Sequence, residues 1–262
     1  MNEKRTRGKG ISIKMITKLL KIQFSRLKRQ KIFYLYFAVM AAIIISNALQ
    51  CIGSPEGNEM AYYAGGRFPT FCMQSYIDIV GSLFLSFICA VLISGEKASG
   101  MLKQPLLNGV SKKQLLMTKT ISLLMIALVF FLFVILFSIG IGFLFWGSHV
   151  FDHARECLLQ IALLTFPQIT MVLFLVFLSL HMSNISSMMC ASLIILSINN
   201  LFSQFFGDYI SFVDFMYYLY AFTEYNGMIL RSNVIALGLF VNLITGMLLV
   251  YGITRSINNM VM

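Results

Sequence analysis

Apolar residues run in six long blocks separated by shorter polar stretches, at 32–52, 76–95, 120–146, 157–180, 188–206 and 234–254. Each approaches or exceeds the roughly 20 residues that a helix needs to cross a hydrocarbon core about 30 Å thick. The fifth is the weakest, because Ser197, Asn199, Asn200, Ser203 and Gln204 crowd its second half. The apolar-polar alternation of a transmembrane barrel is missing. The pattern predicts an all-α membrane protein with six transmembrane helices. Composition agrees: 58% of the 262 residues are apolar, 11% are charged and the mean hydropathy is +0.83. A soluble domain carries about 25% charged residues, so a soluble enzyme, a disordered chain and a disulfide scaffold are all excluded.

The net charge of +10 is unevenly placed. Eleven Lys and Arg residues precede the first block, five lie in the loop 96–119, and Arg255 follows the last block. The alternate connections hold only Arg67, Arg155 and Arg231. By the positive-inside rule both termini and the loop 96–119 are expected in the cytoplasm. The charge therefore reads as a topology signal in a multi-pass cell-membrane protein, and nucleic acid is not an expected partner. The implied organisation is a cytoplasmic N-terminal segment 1–31, a membrane domain 32–254 and a cytoplasmic tail 255–262.

Ile13, Ile16, Leu20, Phe24 and Leu27 recur at helical spacing, with most neighbouring lysines and arginines off that stripe. This predicts an amphipathic helix lying in the bilayer interface. A basic tail held by anionic lipid is the plainer alternative. The loop 96–119 is longer than a simple connection needs. It fits two short helices, 97–107 and 111–119, with Asn108-Gly109 as a turn able to take positive φ and Ser111 as an N-cap. Met101, Leu102, Leu106, Leu107 and Val110 in that loop call for cover by lipid or by a partner protein. Between the last two blocks, 207–233 interleaves aromatic residues with Asp208, Asp214 and Glu224. It fits a re-entrant hairpin sheltered by protein or an interfacial aromatic belt.

Candidate chemistry is sparse. Gly95 and Gly100 have the glycine spacing of a phosphate-binding loop, but Met101 and Leu102 stand where Lys and Ser/Thr belong. No nucleotide is bound that way, and no cofactor is expected on this chain. His149 and His153, with Asp152 and Cys157 nearby, are better read as solvated than as metal ligands. Cys51 and Cys72 bracket the first far loop and leave a disulfide open. Asp78 reads as an interfacial acid, and Gln168, Asn242 and Thr245 as polar contacts between helices. Buried carboxylates and broken midplane helices, which ion-coupled carriers use, are not evident.

The block architecture, the N-terminal segment and the loop together resemble the permease subunits of ABC-2-type transporters. The loop reads Glu96-x-x-x-Gly100-Met101-Leu102-Lys103, then Val110-Ser111-Lys112-Lys113-Gln114-Leu115-Leu116 and Lys119. It is most similar to the branch serving lantibiotic immunity and bacitracin-type resistance in Gram-positive bacteria, although Met101 stands where Thr or Ser is common. The resemblance implies that the loop is a coupling helix docking on a separate ATPase subunit, which would hold ATP and Mg. Met101, Leu102 and Leu107 would fill a groove on that subunit, with Lys103, Lys112 and Lys113 at its rim and Glu96, Gly100 and Ser111 shaping the loop. It further implies a second permease subunit, alike or different, a re-entrant piece within 207–233, and export of an antimicrobial peptide or other amphipathic compound. A secondary carrier or channel, or a membrane anchor or sensor without transport, are the competing readings.

Overall fold

The computed structural model describes residues 20–23, 25, 31–54, 63–107, 109–206, 216–218, 222 and 232–259. Among them there is no strand. Eight α-helices are followed below: α1 (Lys31–Gly53), α2 (Phe68–Ser75), α3 (Gly81–Cys89), α4 (Lys103–Leu107), α5 (Lys112–Trp146), α6 (Ala154–His181), α7 (Ile185–Phe206) and α8 (Ser232–Asn259). Five helical stretches among the described residues are long and apolar enough to cross a membrane, and α7 adds a shorter apolar segment at Ile185–Ile195. The fifth block is helical along its length, because α7 runs 22 residues from Ile185 to Phe206 and carries the polar residues of its second half within the helix. The protein is an all-helical membrane protein.

The second block is built differently from a plain helix. α2 and α3 are joined by a π-helical segment, Tyr76–Val80, and α3 continues through a second one, Ala90–Gly95, into a single helical turn, Glu96–Ala98. A π segment widens the helix and leaves carbonyls for other donors, and such segments often mark functional positions. Both are served by side chains from neighbouring helices. The Tyr36 hydroxyl on α1 donates to the Val80 carbonyl at 2.7 Å, and the Lys119 ammonium on α5 donates to the Leu92 carbonyl. Nothing in the periodicity of 76–95 announces this.

Aromatic packing joins α1, α3 and α5. Phe37 stacks on Phe130 with ring centroids 4.3 Å apart, and Phe84 lies 4.1 Å from Phe130 and 3.9 Å from Tyr36. In lipid such contacts matter more than they would for a soluble bundle, because tail and side chain are equally apolar and association rests on close packing. Polar side chains add ties between helices. Asn47 donates to Ser75 at 2.9 Å, and Thr170 donates to the Asn242 carbonyl at 3.4 Å. Gln168 donates to the Tyr76 hydroxyl at 3.5 Å, the interhelical contact its sequence suggested, whereas the Asn242 side chain donates to the Gly238 carbonyl within α8 and meets Thr170 only through its backbone. Cys51 and Cys72, on α1 and α2, are buried free thiols.

The segment 207–233 lies largely outside the described residues. Its described members Met216, Tyr218 and Phe222 belong to the main apolar core, the latter two fully buried. They sit against α8 at Gly238, where a Cβ atom would come within 2.6 Å of both the Phe222 and the Tyr218 rings. Gly238→Leu is therefore expected to unseat the aromatic pair. Overpacking costs about 1–3 kcal/mol, which should lower the unfolding temperature of the solubilised protein by several degrees. An unchanged transition would mean that the two rings are not seated on α8.

Candidate coupling site

The loop 96–119 and the helix ends around it form one end of the bundle, called here the basic end. α5 starts at Ser111, whose hydroxyl accepts from the Gln114 amide at 3.2 Å while the Ser111 amide donates to the Gln114 side chain at 3.1 Å. This is a reciprocal capping box. The helix then runs unbroken for 35 residues, roughly 52 Å at 1.5 Å per residue, so it extends well past a 30 Å core. The expected separate helix 111–119 is thus the protruding first part of α5. No glycine or proline lies between Ser111 and Thr120 to separate them.

The other expected helix, 97–107, is broken. After Ala98 the chain turns at Ser99–Leu102, with Gly100 at φ +70°, a conformation that costs a residue with a side chain. The Gly100 amide donates to the Lys97 carbonyl at 3.2 Å and the Leu102 amide to the Glu96 carbonyl at 3.4 Å. α4 follows, with Pro105 in its first turn where a missing N–H is harmless, and ends at Leu107, after which Gly109 takes φ +82°. The positive φ expected of the Asn108-Gly109 turn is therefore carried by Gly109. Leu102, Val110 and Leu115, with Leu106 beside them, make a small core of their own, separate from the main one.

This folding sorts the apolar residues of the loop into two sets. Leu102 is turned inward and buried, while Leu107 is 86% exposed and Met101 is 43% exposed. Met101 and Leu107 fit the role of anchors for a partner. Leu102, expected beside them, instead holds the loop together. Ser111, Lys113 and Gln104 are exposed, and Lys112 is half-buried. The Lys103 side chain is outside the described ones.

Glu96 reaches inward, not outward. Its carboxylate pairs with the Lys119 ammonium at 2.8 Å, with 12% and 1% of the two side chains exposed. Lys119, quoted in the sequence only as the end of the loop, is the residue whose role spacing could not show. Its ammonium bonds both the Glu96 carboxylate and the π-segment carbonyl of Leu92. One turn further along α5, Ser122 donates to the side chain of Gln23. Residues 20–23 and 25 are helical, with Gln23 buried and Ile22 exposed. The remainder of the expected N-terminal amphipathic helix lies outside the described residues.

The same short stretch also holds α6. Ser94 donates to the Ser179 carbonyl at 3.2 Å, and the Lys97 ammonium donates to the carbonyls of Leu180 at 2.9 Å and Met182 at 3.3 Å. The last carbonyls of a helix have no partner within it and carry its negative dipole end, so a cation there is doubly favourable. Four residues, Ser94 to Lys97, thus contact both neighbouring helices.

At the far end, His149 and His153 each pair with a carboxylate three residues on, Asp152 at 3.1 Å and Glu156 at 3.3 Å. Among the described residues no three His, Cys, Asp or Glu side chains come together as a metal site. An apolar cleft of about 60 Å³ lies between α5 and α6, lined by Ala127, Phe131, Thr165 and Gln168 among others.

A bundle of apolar helices with a compact loop pinned at one end defines a multi-span helical membrane protein. The sequence model of ABC-2 family transporter proteins matches residues 19–199. The chain belongs to that family. The matched region includes the whole loop 96–119 with Glu96, Lys97 and Lys119. Among curated proteins, none matches the sequence.

Proposed function

We propose that this chain is the permease subunit of an ATP-driven exporter that removes an antimicrobial peptide or another amphipathic compound from the membrane. Family membership gives the transporter class. The observation that carries the rest is the loop, whose own small core leaves Leu107 and Met101 on its outer side. An ATPase subunit covering that side accounts for apolar residues that bare water would not favour. In this reading both termini and the basic end face the cytoplasm, in line with the charge distribution. ATP and Mg sit on the partner, and a second permease, identical or not, completes the complex. The peptide-immunity role, and a Gram-positive host, rest on the resemblance of the loop sequence alone.

Reconstituted by itself, the chain is expected to hydrolyse no ATP, because it has no phosphate-binding loop. Adding the partner ATPase should give hydrolysis that disappears when the ATPase's own phosphate-binding lysine is replaced. Turnover by the permease chain alone, surviving removal of every contaminating ATPase, would contradict the assignment.

A further inference from the structure

We propose that Lys97 is a positioning residue that makes α6, and not only the second span, follow the loop when ATP drives it. This rests on the proposed function. The second span runs continuously into the loop, so any displacement of the loop reaches it directly. α6 is distant in sequence, yet its last turn is held by two donors from the span exit. Ser94 donates to Ser179 and Lys97 donates to Leu180 and Met182. Ser94 and Lys97 lie three residues apart, on one helical face. The neighbouring residue Glu96 points to the other side and holds Lys119 of α5. Adjacent residues of opposite charge therefore grip two different helices, one through a side-chain ion pair and one through backbone carbonyls.

The two grips differ in kind. The Glu96–Lys119 pair is sealed from solvent, and breaking it costs fold stability. Lys97 is only half-buried, and it binds carbonyls that close a helix otherwise complete. Losing it should free α6 from the loop without unfolding the bundle. A consequence lies at the cleft between α5 and α6. The loop holds one wall through Lys119 and the other through Lys97, so an uneven pull on the two would change the width of that cleft.

The test uses the complex of the full chain with its ATPase in lipid nanodiscs, in a Cys190→Ala background because Cys190 is the exposed native cysteine. Nitroxides are placed at Gln104 in the loop and Ser183 just past α6, both exposed. In the otherwise native chain the distance between them should stay constant from the nucleotide-free to the ATP–vanadate state. In Lys97→Met it should shift by several Å on trapping while ATPase pull-down stays unchanged, and Lys97→Arg should restore constancy. If Lys97→Met lowers the yield of folded protein, Lys97→Gln carries the same comparison. An invariant distance in the Met or Gln variant would overturn the proposal, as would a changing distance in the native chain. Failure of the native chain to retain any ATPase would overturn the proposed function itself, and this inference with it.

Discussion

Glu96→Ala is expected to lower the unfolding temperature of the solubilised protein by roughly 10 °C. It removes the carboxylate 2.8 Å from an ammonium whose side chain is only 1% exposed. Breaking one side of a buried pair costs about 3–5 kcal/mol, because the remaining charge stays where water cannot reach it. At roughly 2–4 °C per kcal/mol for a chain of 150–250 residues, that gives a fall of the size stated. Removing both charges is different. Glu96→Ala combined with Lys119→Met should recover most of the loss, since an unbranched apolar chain can fill the space of the lysine stem. Differential scanning fluorimetry on the single and double variants makes the comparison. A double variant less stable than Glu96→Ala would show that Lys119 contributes mainly through its bond to the Leu92 carbonyl.

The second large effect is on assembly. Met101→Asp with Leu107→Asp should weaken retention of the ATPase about 100-fold or more while leaving the permease folded. Both side chains are exposed in the isolated chain, so the aspartates are hydrated there. They lose that hydration only when a partner covers them, at a cost of a few kcal/mol in all, and each 1.4 kcal/mol is tenfold in affinity. Lys112→Ala and Lys113→Ala should change binding by less than about tenfold, since rim charges carry little of an interface's energy. Leu102→Asp does not belong in this comparison. Leu102 supports Val110 and Leu115, so its loss would collapse the loop and remove the ATPase indirectly. Pull-down titrations should show the double aspartate variant as a monodisperse permease without its partner. Full retention would mean that the loop's outer side is not the docking face.

Much of this architecture is legible in the sequence because the bilayer imposes it. A run such as 120–146, free of charge and long enough to span, can do little else but form a helix. The capping serine at 111 was legible too, as its hydroxyl and the glutamine three residues on form a local motif. Where the notion of two short helices failed, the reasons are equally local. Gly100 breaks the first at positive φ, and nothing breaks the second from α5. The π segments and the inward turn of Glu96 could not be read, because both depend on side chains far away in sequence. Tyr36 meets Val80 across 44 positions, and Lys119 meets Glu96 across 23. A lysine at the end of a basic loop looks solvated until the fold supplies its carboxylate. The same limit explains Leu102 and Leu107, five residues apart and alike in character, of which only one faces outward.

The central claim, that an ATPase subunit covers the outer side of the loop, is tested most directly by placing a benzophenone amino acid at position 107. Irradiation of cells that make the permease and its ATPase should yield one crosslinked band containing both chains. That band should vanish when Met101→Asp is added. Crosslinking of position 107 to lipid alone, with the ATPase present and active, would contradict the account.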